Sequence, residues 1–109
     1  MKTNKIYGKT HQELPLEDTI LNFKNVSDLE KFLVEVLTPA EVIMLNRRFT
    51  LLQKLWRGET HRQISKDLRV GVGTIERGVR VLEQKNGIVR QIFRKFYGQD
   101  SPFQKRRTQ

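Results

Sequence analysis

Thr38-Pro39-Ala40-Glu41 is the strongest start signal in the chain. A threonine able to cap, a proline suited to the first helical position and a glutamate placed to close a capping box stand in succession. No glycine or proline follows until Gly58, and Val42, Leu45, Phe49, Leu52 and Trp56 recur every three to four residues, with Met44, Leu51 and Leu55 beside them. A helix of about 19 residues is about 28 Å long, comparable to a whole small domain. Its apolar stripe is too wide for one neighbour, which predicts that part of it meets a second copy of the chain. The alternative is the central helix of a monomeric bundle.

The rest of the chain reads as helical too. Residues 1–15 lack periodicity and end at Pro15, giving a flexible N-terminal arm. Leu16, Ile20, Leu21 and Phe23 suit a short helix from Leu16 to Asn25, with Glu17 and Asp18 in its first turn. Ser27-Asp28-Leu29-Glu30 has the form of a capping box and predicts a second helix over about 28–36. Near the other end, Gln84 to Gly87 signals a turn, and Ile88, Ile92, Phe93 and Phe96 form the inner face of a last helix ending at Gly98. The organisation is then an arm over 1–15, one all-helical domain of about six helices over 16–98, and a basic tail over 99–109. That tail, with Lys105, Arg106 and Arg107, reads either as a phosphate-tracking arm or as an unstructured end.

Composition removes several classes of function. The chain has 109 residues, no cysteine and two histidines, His11 and His61, so a zinc finger or a His/Cys metal cage lacks its ligands. The longest apolar run is four residues, Val42 to Leu45, against roughly 20 needed to span a bilayer. With no signal-like segment, the expected location is the cytoplasm and no membrane partner is expected. No nucleophile pattern surrounds His61, and Gly71-Val72-Gly73 lacks the context of a nucleotide-binding loop, so the expectation is that the protein is not an enzyme.

Charge is distributed unevenly. Residues 1–56 carry 8 Lys/Arg against 7 Asp/Glu, whereas residues 57–109 carry 13 against 5, so nearly all of the net charge of +9 lies in the second half. Such an excess attracts polyanions by counterion release, with nucleic acid the leading partner and an anionic membrane surface the runner-up.

Within that basic half, Thr60 to Glu83 carries the most information. Thr60-x-x-Gln63 opens a short helix edged by Ile64 and Leu68, a break follows around Arg69 to Gly71, and a new helix has Ile75, Val79 and Leu82 on its inner face. A helix-turn-helix needs apolar residues where its helices cross, here Ile64, Leu68, Val70 and Ile75, and a small residue close by, here Ser65. Small side chains at Gly71, Gly73 and Thr74 let the first turn of the second helix approach a DNA groove. Arg57, Arg62, Lys66, Arg69, Arg77 and Arg80 surround it, some of them expected in pairs such as Glu76 with Arg80.

Three signals in order carry a family resemblance: Leu37-Thr38-Pro39-Ala40-Glu41, Arg57-Gly58-Glu59, and Thr74-Ile75-Glu76-Arg77-Gly78. Over about residues 37–83 the chain resembles the tryptophan repressor family. The resemblance implies an all-α, intertwined homodimer that binds a double-stranded DNA operator when L-tryptophan, as corepressor, sets the spacing of the two recognition helices to successive major grooves. It implies ligand contacts from Arg77 over the indole, Gly78 beside it, Arg48 near the carboxylate, and Leu37 with Thr38 at the ring and amino group. It also implies DNA contacts from His61, Arg62 and Ser65 on the first helix and from Gly71, Val72, Gly73, Thr74 and Glu76 at the tip of the second, many of them through water.

Departures from the pattern are specific. Val79-Arg80 replaces the usual Ser-Asn, Val81 replaces a serine near the ligand's amino end, Glu76 stands where threonine often faces DNA, and Arg69 holds a turn position that favours glycine. They keep two further functions beside the tryptophan-controlled repressor: a constitutive helix-turn-helix regulator without a tryptophan effector, and a basic RNA-associated factor.

Overall fold

In the computed structural model, residues 13–98 and 102–103 are described. The predicted N-terminal arm lies almost wholly outside them, as do Lys105, Arg106 and Arg107. Six helices follow one another: α1 (Leu16–Leu21), α2 (Val26–Val36), α3 (Pro39–Trp56), α4 (His61–Leu68), α5 (Val72–Glu83) and α6 (Ile88–Tyr97). Among the described residues there is no strand. By its contacts the chain divides into an N-terminal unit, residues 1–42, and a C-terminal unit, residues 43–109.

In the N-terminal unit both helix boundaries differ from expectation. α1 ends at Leu21 rather than Asn25, because the Asn22 and Phe23 amides turn back to the Thr19 and Ile20 carbonyls in tight three-residue closures. That frees Asn25 to cap α2: its Oδ1 accepts from the Asp28 amide at 2.8 Å, and its Nδ2 donates to the Asp28 carboxylate at 3.2 Å. The helix therefore starts two residues before the position that Ser27-x-x-Glu30 predicts. Asparagine and serine offer equivalent capping oxygens, and the earlier one has taken the role. Phe23 and Phe32 lie 5.2 Å apart, tilted, yet neither α1 nor α2 contains a buried residue.

The start of α3 is the reciprocal box that the sequence predicts. The Thr38 amide donates to Glu41 Oε1 at 2.9 Å and the Glu41 amide to Thr38 Oγ1 at 3.2 Å. Its end is a Schellman closure, with the Glu59 amide on the Lys54 carbonyl and the Gly58 amide on the Leu55 carbonyl. Gly58 sits at φ +87°, a left-handed conformation open to glycine at little cost.

The core of the C-terminal unit is formed by Leu51, Leu55 and Trp56 of α3, Ile64 of α4, Ile75, Val79 and Leu82 of α5, Phe93 of α6 and Phe103 beyond it. Tyr97 of α6 donates its hydroxyl to Gln53 Oε1 of α3 at 2.8 Å. Only part of the expected inward face of α6 is buried. Phe93 is buried and Val89 partly so, whereas Ile88, Ile92 and Phe96 are exposed. Arg90 is half-buried and donates from Nη1 to the Leu82 carbonyl at 3.1 Å, satisfying an orphan acceptor in the last turn of α5. Burial, and secondarily the neighbouring Arg94, lower the Arg90 pKa from its ordinary value.

Candidate nucleic-acid interface

α4, a short turn and α5 form the helix-turn-helix. Thr60 caps α4 through its Oγ1, which accepts from the Gln63 amide at 3.1 Å, while the Gln63 side chain turns to Asp67 instead of closing the box. Ile64 and Ile75 are buried where the helices cross, with Leu68 and Val70 packed at their edge. Ser65 has a definite task there. Its hydroxyl donates to the Val70 carbonyl at 2.8 Å, tying α4 to the turn. Arg69 makes the turn by adopting φ 54° and ψ 49°, the left-handed region.

This scaffold leaves the tip of α5 facing outward. Gly71, Val72, Gly73, Thr74 and Glu76 are exposed, Val72 at 70% of its surface. A Cβ placed on Gly71 or Gly73 would meet nothing within 4 Å, so packing within the chain does not require glycine at either position. Beside the tip, His61, Arg62, Ser65 and Lys66 of α4 join Val72 and Ile75 around an open cleft of about 360 Å³. Five of the eight expected DNA-facing residues lie on the tip of α5 and the other three border this cleft, which Val72 also lines.

On the other side of the turn, Met44, Arg47 and Arg48 of α3 line a second cleft with Arg69, Val70, Gly71 and Thr74. Arg47 was not singled out in the sequence. Its signal is the Arg47-Arg48 pair interrupting an apolar stripe. Carboxylates in the scaffold are partly neutralised: Lys54 bridges Glu59 at 3.1 Å and Asp67 at 3.6 Å, and Arg57 holds Glu59 at 3.2 Å. Among the described residues the expected ion pair of Glu76 with Arg80 is not formed; both border a shallow depression with His61 and Glu83.

The residues expected to hold a ligand fall into two groups. Arg48, Arg77 and Gly78 line one cavity of about 150 Å³ between α3 and α5, with Leu51, Leu52, Thr74 and Val81. Leu37 and Thr38 belong to the N-terminal unit, where Leu37 ends α2 and Thr38 is engaged with Glu41. Gly78 is required where it stands, since a Cβ there would lie 2.5 Å from Leu51 Cδ2 and 3.0 Å from Leu55 Cδ1.

The sequence profile of the family described as Trp repressor protein matches residues 12–96. The chain belongs to this family. Comparison with curated proteins and with solved structures gave no match. Membership in the Trp repressor family makes the chain a helix-turn-helix, DNA-binding transcription regulator in an all-helical fold, and members of the family are regulators rather than enzymes. Among the described residues no helix is long and apolar enough to cross a membrane, and no group of three or more His, Cys, Asp or Glu is placed to hold a metal ion.

Proposed function

We propose that this Trp repressor family member is a homodimeric, sequence-specific repressor whose operator affinity is raised by a small corepressor, L-tryptophan or a related molecule, held between α3 and α5. The observation that carries the reading is the position of Thr74. It belongs to the outward-facing tip of α5 and also lines the cavity of Arg48, Arg77 and Gly78. A ligand there would touch the recognition helix itself, so ligand and DNA affinities would be linked reciprocally. Arg77 and Arg48 supply the cations suited to an aromatic face and a carboxylate.

Unpartnered apolar surface supports the homodimer. No residue of α1 or α2 is buried, and in the C-terminal unit Leu45 and Phe49 of α3 and Ile88, Ile92 and Phe96 of α6 are exposed. A second copy would give these faces the burial that their periodicity implies.

One observation favours a second reading, a constitutive regulator of the same fold. The cavity is smaller than the roughly 300 Å³ at which ligand sites usually begin, and Val81 lines it without a hydroxyl for an amino group. Selecting genomic fragments bound by the protein with and without L-tryptophan, at one near-physiological salt concentration, separates the two. A palindromic motif enriched only with tryptophan supports the corepressor switch. A motif enriched equally in both samples supports the constitutive regulator, and the absence of any motif defeats both.

A further inference from the structure

Arg47 and Arg48 of α3 and Arg69 of the turn line one open cleft of about 250 Å³, next to Gly71 and Thr74 of the α5 tip. All three arginines are exposed, and no carboxylate lines the cleft. Among the described residues the ion pairs belong to Lys54 and Arg57, so none of the three is paired with an acid of the chain. Guanidinium groups gathered round one space repel one another, and an entering anion turns that repulsion into attraction. Arginine's planar fork suits a phosphate in particular. Arg69 reaches the cleft from a backbone held at φ 54°, which glycine would adopt at less cost. Strain of this kind is characteristically kept where a ligand is held.

The place of the cleft identifies the source of the phosphate. Gly71 and Thr74, which line it, belong to the helix tip that faces outward, while His61, Arg62 and Lys66 approach the same tip from α4, around Val72. A helix with its side chains is about 10–12 Å across and the major groove about 12 Å wide, so a helix lying there has a sugar-phosphate backbone against each flank. Cations stand at both flanks of the α5 tip.

We infer that Arg47, Arg48 and Arg69 seat a backbone phosphate of duplex DNA on the strand opposite the one approached by α4. The inference rests on the DNA-binding reading above. A contact of this kind fixes how the recognition helix lies in its groove and adds affinity without adding sequence preference.

The test uses the full-length protein, the double variant R47Q/R69Q, the α4 variant R62A and, as a control, K85Q in the turn after α5, on the selected operator and on an unrelated duplex of equal length. Arg48 stays unaltered because it also lines the cavity of Arg77 and Gly78. Affinity is measured over a tenfold range of salt, and ethylation interference maps the phosphates that binding needs. Loss of one phosphate contact per protomer should lower the slope of log affinity against log salt by about 0.9, or about eightfold in affinity across that range. R47Q/R69Q should show this loss on both duplexes with its melting temperature not lowered, and interference should vanish at phosphates on the strand opposite those lost in R62A. K85Q should keep the full interference pattern. An unchanged slope and pattern in R47Q/R69Q overturns the seat, as does a slope lowered equally in K85Q with no phosphate lost from the pattern of either. Phosphates lost on the same strand as in R62A overturn the strand assignment. If inorganic phosphate without DNA raises the melting temperature of the unaltered protein but not of R47Q/R69Q, while both bind DNA alike, the cleft serves a free phosphate-bearing molecule and the DNA contact is overturned. Failure of the unaltered protein to bind either duplex would instead remove the DNA-binding reading, and the inference with it.

Discussion

Arg69 holds φ 54° and ψ 49°, a conformation that costs a side-chain-bearing residue about 1–2 kcal/mol and glycine almost nothing. Glycine in turn loses more freedom on folding, worth roughly 0.5–1 kcal/mol. Arg69→Gly should therefore stabilise the fold by up to about 1 kcal/mol in thermal or urea unfolding, while weakening DNA binding, because Arg69 also lines the cleft with Arg47 and Arg48. Opposite signs in the two measurements are the expected outcome; a loss of stability would refute the strain. A second pair of substitutions separates base from phosphate contact. Thr74→Ala should weaken operator binding more than binding to unrelated duplex, whereas Arg62→Ala should weaken both and reduce the salt slope by about one. Equal weakening on both duplexes for Thr74→Ala would remove Thr74 from base readout. At this scale the small residues Gly71, Gly73 and Thr74 were legible as a helix start beside arginines, and the structure leaves them exposed there. Ser65 was legible as small but not as a donor, since its bond to Val70 depends on how the turn folds back.

Between elements, the packing of α3 on α5 is set by Gly78. Alanine would ordinarily gain up to about 1 kcal/mol over glycine within a helix. Here its Cβ would press into Leu51 and Leu55, both themselves buried, and overpacking of this kind costs about 1–3 kcal/mol. Gly78→Ala should therefore lower the melting temperature by several degrees, as the crowding outweighs the propensity. A rise would mean that α3 and α5 separate freely. Helix starts were readable when one local box stood alone, as at Thr38 and Glu41. They were misread where two capping residues competed, as at Asn25 and Ser27. The orientation of α6 was misread for a different reason. Its sequence carries two adjoining apolar faces, Ile88-Ile92-Phe96 and Val89-Phe93, and helical periodicity alone cannot say which of them meets the chain's own core.

At the scale of the whole molecule, burial within one chain leaves apolar surface on α2, α3 and α6 that a single copy does not use. Phe49 is the most discriminating probe of it. Its ring lies 5.8 Å from Phe93, yet 49% of its surface remains exposed. In a lone chain an aspartate there would turn to water and forfeit the ring pairing, about 0.5–1.5 kcal/mol, together with the burial of the covered half of the ring. Against a second copy it would be an unpaired charge taken out of water, a penalty large enough to split the assembly. Light scattering of the Phe49→Asp variant should therefore show half the mass of the unaltered protein, with a lowered and concentration-dependent melting transition. Operator affinity should fall with it, because two half-sites can no longer be engaged at once. An unchanged mass, with a melting transition that is lowered but independent of concentration, would leave the monomeric bundle as the correct reading of the α3 stripe.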